Sequence, residues 1–475
     1  MKITRSLTLV LQELNSTGVK QSEGFLLRKR QHLARYKDVQ DLGIELADGV
    51  PLELRGVEHH FVLVRAKLLK AFAAKEIFIG TGVLDELILS AIQDPRTKDL
   101  FRSVVMSIMR YGIHKPGILV VPIHSFGIAG FGFYRHFTKS AATVKFPELG
   151  LVLTHQTNDL KSTLDFLDSA RRILRVSGRV PHDSIRHYFR SRSTSWLERN
   201  PMLVLRIRGA SASNYDNQRF FVYRLQIATS LVFLLVALTS DFDDGTDSHF
   251  GSTSRLNNSE TLDIKHYLLL ETSGKTRGTL RGACVPIHVD AAIFAELVNL
   301  NVDLNLRRLQ KRQGMVSTAL TVLGQLETLY FAHLFDNATP SPRLIVHRKI
   351  FDSLAYFRRS FRVAANPGEP IVNLAIAFEM LLTDNYAKGV KARVVRRVGI
   401  ALKGLPRSRS MRDEVARLFE ARGEVVHQGK HTTQTDLIVA RKAYALSLIR
   451  LAKLSIKHER LLKTCEPIGE VLADL

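Results

Sequence analysis

Cysteine is nearly absent from this chain: 475 residues contain two, Cys284 and Cys465. Two thiols cannot build a disulfide framework, nor complete a four-ligand zinc site by themselves. A reducing compartment is therefore expected. Long apolar runs are missing too. The longest, Leu225–Leu238, has about 14 residues and includes Gln226, Thr229 and Ser230. A bilayer span takes ~20 apolar residues, so this run reads as a buried helix. Near the N-terminus, Leu7–Leu11 is too short for an export signal and meets Gln12 and Glu13. The expectation is a cytoplasmic protein with no membrane partner. No internal repeat is evident.

What is present is globular composition with an unusual charge. Hydrophobic residues make up 45% and charged residues 24%, which excludes a disordered or fibrous chain. The length corresponds to about three domains. Lys and Arg number 68 against 45 Asp and Glu, a net charge of +23. A surplus of that size favours a polyanionic partner, nucleic acid ahead of an anionic membrane surface.

The pattern along the chain predicts an α+β fold: an N-terminal mixed α/β region followed by a C-terminal all-α bundle. Residues 1–157 carry strand-like runs at His60–Val64, Ile118–Ile123 and Leu149–Thr154. A middle α/β region, 158–342, opens with a helix marked by Leu160, Leu164, Leu167 and Leu174. An arginine-rich stretch from Arg179 to Arg199 follows, then strand-like Met202–Ile207 and Phe220–Leu225 and a polar loop at 239–263. A helix carrying Leu320, Leu323, Leu326, Tyr330 and Leu334 runs into the breaker Asn337–Pro342, the main boundary. Residues 343–475 read as five helices with short connections, an antiparallel bundle. Their stripes are Ile350/Leu354/Phe357/Phe361, Ile371/Leu374/Phe378/Leu381, Val394/Val398/Leu402, Met411/Val415/Leu418 and Leu437/Tyr444/Leu448/Leu451. Ser410 with Asp413 suggests a capping box opening the fourth, which closes before Gly429.

The bundle holds 25 Lys and Arg against 13 Asp and Glu, so about half the charge surplus lies in the last 28% of the chain. Between Asn385 and Arg412 there is no acidic residue, and nine basic ones include Lys388, Lys391, Arg393, Arg396, Arg397, Arg409 and Arg412. One reading is a solvated basic face. The sharper reading is a phosphate track, because clustered cations gain by releasing counterions from nucleic acid.

Within the fourth helix stands Arg422-Gly-Glu-Val-Val-His427. The same R-x4-H spacing recurs at Arg55–His60, which leads into the strand-like run, so spacing alone has little weight. Context separates the two. The stretch Val415-Ala-Arg-Leu-Phe-Glu-Ala-Arg-Gly-Glu-Val-Val-His-Gln-Gly429 resembles the R-x4–6-H helix of the HEPN superfamily, and Leu374-Ala-Ile-Ala-Phe-Glu-Met-Leu-Leu382 is similar to the Leu-Glu helix of its Apea-like branch. Helix order, spacing, motif and the trailing His-x-Gly agree over about residues 345–460. One position departs: the residue after the arginine, usually small and polar or charged in that superfamily, is Gly423.

The resemblance implies a metal-independent endoribonuclease working at a homodimer seam, needing no cofactor, with Arg422, His427 and Glu379 as candidate catalytic residues. It further implies tRNA or mRNA as substrate and a defence or toxin role. The chemistry suits these groups. Histidine can accept a proton from a ribose 2′-hydroxyl or donate one to the departing 5′-oxygen, and arginine can fork onto phosphate oxygens. A spacing of five sets Arg422 and His427 about 140° apart on an ideal helix. One helix aims them poorly at a single phosphate, whereas two helices crossing at a dyad bring two pairs together. His427 falls in the last turn, where the carbonyl end of a helix attracts positive charge. Glu379, toward the apolar side of its helix, needs a cation; Arg422, Arg393 and Arg397 are the options. The alternatives are an ordinary helix end with capping Arg and His, and a catalytically inactive HEPN-like module that binds RNA or protein as a sensor or regulator.

Weaker signals point elsewhere. Asp241–Asp247 fails the calcium-loop pattern at Gly245 and Ser252. Gly127–Gly132 is not G-x-G-x-x-G, and His59, His60, His114, His124 and His136 lack metal spacing. Trp196 and Tyr188 lie among arginines, and burial is the simpler reading than base stacking. His431 reads as loop decoration.

Overall fold

A computed structural model describes residues 17–37, 56–73, 77–129, 143–154, 159–191, 194–208, 215–240, 266–272, 278–286, 291–333, 342–362, 368–385, 388–429, 435–457 and 466–473, with isolated positions beside them. The proposed polar loop at 239–263, apart from Thr239 and Ser240, lies outside these residues, as do Asp241–Asp247, His431 and Cys465.

The N-terminal part is helical: α1 (Thr17–Arg28), α2 (Val57–Ala73), α3 (Thr81–Gln93) and α4 (Leu100–Arg110). His60–Val64, expected as a strand, lies inside α2. The reason is in the burial: Val57, Phe61, Val64, Leu68 and Phe72 are all buried at spacings of three and four, a helical stripe through a β-branched and aromatic run. These side chains close a core of their own with Leu26, Leu84, Ile88, Val104 and Ile108. Asp99 caps α4 by accepting from the Arg102 amide at 2.8 Å.

An antiparallel sheet follows, in the order β3-β4-β5-β1-β6-β7, built from β1 (Pro116–Pro122), β3 (Thr143–Phe146), β4 (Leu151–Thr154), β5 (Met202–Arg208), β6 (His266–Thr272) and β7 (Leu280–Pro286). A separate parallel pair joins β2 (His124–Ala129) to β8 (Asn299–Asn305). The sheet crosses the 157/158 division, since β4 pairs with β5 and β5 with β1. Both faces are covered. Ile118 and Val120 pack on one side with Leu164, Leu167 and Trp196, while Leu119 and Val121 pack on the other with Leu231 and Leu235. That is why the strand run Ile118–Val121 is apolar throughout rather than alternating. The first side is roofed by α5 (Leu160–Ile173) and α6 (His182–Arg190).

Against the second side lies α7 (Tyr215–Thr239), where Phe220–Leu225 is helix rather than strand. Its stretch Phe221–Thr239 is long and apolar enough to cross a membrane by length and composition, but 78% of it is buried inside the protein. Two of its hydroxyls bond back to the helix itself: Thr229 donates to the Leu225 carbonyl at 2.9 Å and Thr239 to the Leu235 carbonyl at 2.7 Å. Then come α8 (Ala291–Val298) and α9 (Gln313–His333).

The C-terminal helices are α10 (Pro342–Arg359), α11 (Glu369–Leu382), α12 (Val390–Ala401), α13 (Ser408–Gln428), α14 (Leu437–Lys457) and the short α15 (Pro467–Ala473). Tyr444 sits at their centre, stacked on Phe357 at 4.4 Å and edge-on to Phe378 at 5.3 Å, with its hydroxyl 2.6 Å from Ser353 Oγ. The core does not stop at Pro342. Side chains of α7 and α9 belong to the same buried cluster as those of α10, α11, α13 and α14, and Lys442 donates to the Ser240 carbonyl. Ser410 is not the cap of α13. That helix starts two residues earlier, after Arg407 in a left-handed conformation (φ 57°), and Gly429 ends it with φ 62°.

Candidate active site

Glu379 stands on α11 one turn from fully buried Ala375 and three residues before fully buried Leu382. Across from it on α13 is Arg422. Arg422 Nη1 lies 2.8 Å from Glu379 Oε1, with the two side chains 36% and 24% exposed. Of the three cations open to Glu379 from the sequence, Arg422 is the one that meets it. Arg393 instead donates to the Asn385 carbonyl at 3.2 Å, and Arg397 pairs with Asp384 at 2.8 Å. Burial pushes the Glu379 carboxyl above its ordinary range, and the Arg422 charge opposes that shift. The pair is incompletely satisfied: Glu379 Oε1 and Arg422 Nε are both buried without a hydrogen bond.

His427 is exposed at the C-terminal end of the same helix, and its ring makes no hydrogen bond or ion pair among the described residues. Its neighbour Val426 is 54% exposed, a large apolar side chain left in solvent. A Cβ placed on Gly423 would meet nothing within 4 Å, so no packing inside the chain requires glycine there. Arg422 is thus turned to α11 while His427 faces outward, about 7.5 Å further along the helix axis.

The basic side chains of the Asn385–Arg412 window divide into groups. Lys388, Lys391, Arg396 and Arg409 are exposed. Lys391 reaches from α12 to Glu420 on α13 at 2.8 Å, two residues before Arg422 and on a different side of that helix. Arg393 and Arg412 are half-buried, and Arg412 pairs with its own neighbour Asp413 at 2.9 Å. Arg397 does not belong to a surface track. Its side chain is 4% exposed, donates to the Leu382 carbonyl at 2.7 Å, and with Asp384 ties α12 to the start of α15, where the Ile468 amide donates to Asp384 at 2.7 Å. Its position on the helix puts it beside buried Val394 and Val398, so the bundle interior claims it.

Of the remaining sequence candidates, His136 and Gly130–Gly132 also lie outside the described residues, and the two aromatic ones are accounted for by structure. Trp196 is buried and donates to the His266 carbonyl at 3.1 Å, and the Tyr188 hydroxyl donates to Gly282 at 3.2 Å. Residues 127–129 of the glycine-rich stretch are part of β2. Among the described residues, no three His, Cys, Asp or Glu side chains stand together as a metal site. Sequence reading passed over a cluster of Arg358, Arg359 and Arg362 around Glu296. Its signal was in view as three arginines within five residues at the end of a helix. No family model, curated protein or solved structure matches this chain.

Proposed function

We propose that the chain is a metal-independent endoribonuclease, with a HEPN-like C-terminal bundle that cuts RNA at a homodimer seam and serves as a defence or toxin effector. The observation that carries the reading is the ion pair between Glu379 on α11 and Arg422 on α13, with an exposed His427, unpartnered among the described residues, on the same helix as Arg422. Glu379 holds the guanidinium through Nη1; Nη2 can meet a non-bridging oxygen of a phosphate as negative charge builds. One imidazole removes the 2′-hydroxyl proton, the 2′-oxygen attacks phosphorus, and the second subunit's imidazole protonates the leaving 5′-oxygen. The products are a 2′,3′-cyclic phosphate and a 5′-hydroxyl. Exposed Val426 and the open flank of Gly423 support a second copy of α13 as the neighbour on this face. Exposed Lys388, Lys391, Arg396 and Arg409 support RNA as the polyanion.

The test is RNA digestion in EDTA with analysis of the ends. Cyclic phosphate termini, lost in His427→Ala with the dimer and fold intact, are the expected result; undiminished cleavage by that variant overturns the assignment. One observation favours a second reading, an inactive HEPN-like module that binds RNA or protein as a regulator. Arg422 is already engaged by Glu379 with its Nε buried. That reading predicts salt-sensitive RNA binding without product.

A further inference from the structure

Where α10 ends against α8, three guanidinium groups gather on one carboxylate. Arg359 clasps Glu296 with two nitrogens, Nε to Oε1 at 2.9 Å and Nη2 to Oε2 at 3.2 Å. Arg358 Nη2 reaches Oε1 at 3.2 Å, and Arg362 Nη2 lies 3.4 Å from Oε2. A single carboxylate neutralises one of these cations. Glu369 also acts on Arg359, but residues 363–368 carry no acidic side chain. The carbonyl end of α10 attracts basic residues in general; it does not explain why three converge on Glu296.

The satisfaction of the three is uneven. The Arg358 side chain is only 4% exposed, and its Nε and Nη1 are buried with no hydrogen-bond partner among the described residues. Buried donors left unmet are costly, and more so on a charged group, so an added anion gains most at this point. Arg359 and Arg362 are 37% and 41% exposed, which leaves one side of the cluster open. Tyr356 lies under the Arg359 guanidinium at 5.3 Å and steadies it.

We propose that Arg358, Arg359 and Arg362 form a receiving site for a di- or triphosphate group, with Glu296 as the internal carboxylate that the ligand competes against. Guanidinium forks suit phosphate oxygens, and a ligand of two or more charges matches the surplus. Glu296 belongs to α8 and the arginines to the end of α10, so the ligand would act on the contact between the middle region and the bundle. The proposal is independent of RNA cleavage.

The test is titration calorimetry on the full chain with inorganic pyrophosphate, inorganic tripolyphosphate and, separately, adenosine triphosphate. Saturable binding that weakens with salt is expected, falling about tenfold or more in Arg359→Gln/Arg362→Gln. Saturable binding of any of these probes supports the site; tighter binding of adenosine triphosphate than of inorganic tripolyphosphate, matched for phosphate number, identifies a nucleotide as the ligand, and equal affinity identifies the phosphates as the whole determinant. Glu296→Gln should tighten binding severalfold, because it removes the competing charge. A tie with a purely structural role predicts no such gain. Absence of saturable binding at about 0.1 M salt overturns the proposal, as does an unchanged affinity in the double variant. Should Glu296→Gln fail to fold by circular dichroism, Arg362→Gln at the exposed rim decides alone: a loss of binding supports the site, and wild-type affinity refutes it.

Discussion

His60 and His427 each follow an arginine at the same interval, and the structure gives them opposite surroundings. His60 is held inside the N-terminal helical part. Its Nδ1 lies 3.0 Å from Ser22 Oγ and its ring 4.2 Å from the Phe25 ring, and burial lowers its pKa from the ordinary value. His427 stands in solvent at a helix end with no partner for its ring among the described residues. Arg55 lies outside those residues, whereas Arg422 is fixed by Glu379. The same spacing therefore yields a packing residue in one place and a solvent-exposed imidazole in the other. The difference comes from neighbouring helices: α1 lies over His60 through Ser22 and Phe25, whereas among the described residues none bonds to the His427 ring. An interval along one helix specifies direction only; chemistry depends on what the third dimension leaves open.

The largest way to break that contrast is to exchange the two losses. His427→Ala should reduce cleavage by about 10²–10⁴, while His60→Ala leaves it near wild type, as read by initial rates on a defined RNA. Equal losses would show that the two sites are not distinct in function. Next in size, Lys388→Gln/Arg396→Gln/Arg409→Gln should weaken RNA binding and lower the slope of log affinity against log salt by about 2, at roughly 0.7 per cation on single strands. A slope unchanged in filter binding would remove these residues from the track. Glu379→Gln should lower cleavage about tenfold by loosening Arg422, with a stability change under about 1 kcal/mol because the pair is partly exposed. Rates and chemical denaturation separate the two effects.

The smallest expected effects concern His60. Its replacement by Ala should cost about 1 kcal/mol through the Ser22 hydrogen bond and the Phe25 contact. Its pH signature has a fixed sign. A histidine with a folded pKa below the unfolded 6.5 binds fewer protons when native, so its contribution is intact above that value and is lost on acidification. His60→Gln should flatten that acid-side decline in denaturation midpoints. A curve as steep as wild type would show that the ring titrates freely.

The bundle was legible because its apolar residues recur at helical spacing between clear breakers. The predicted breaker ends where α10 starts, although the buried core runs on across Pro342, and Gly429 ends α13 as expected. The misread segments, His60–Val64 and Phe220–Leu225, are five- and six-residue windows of β-branched and aromatic side chains. Over so few residues a strand and a buried helix look alike. The β6–β7 hairpin gave no expectation at all, because β6 is buried on both faces and shows no alternation. The Glu379–Arg422 contact was one of three options; choosing required knowing how α11 and α13 are rotated against each other. Arg397 was misplaced for the same reason. A basic window marks a surface only when every member faces outward, and this one turns in to meet Asp384.

The shared packing around α7 has a practical consequence. Severing the polypeptide ahead of Pro342 would uncover Val346, Ile350, Phe351 and Leu354, which belong to the same buried cluster as Leu231 and Leu235. An excised fragment would be sticky rather than autonomous. The C-terminal bundle is therefore no loose cartridge: α7 and α9 both lie between the sheet and the bundle, so a perturbation of the strands has a continuous packed route to α14.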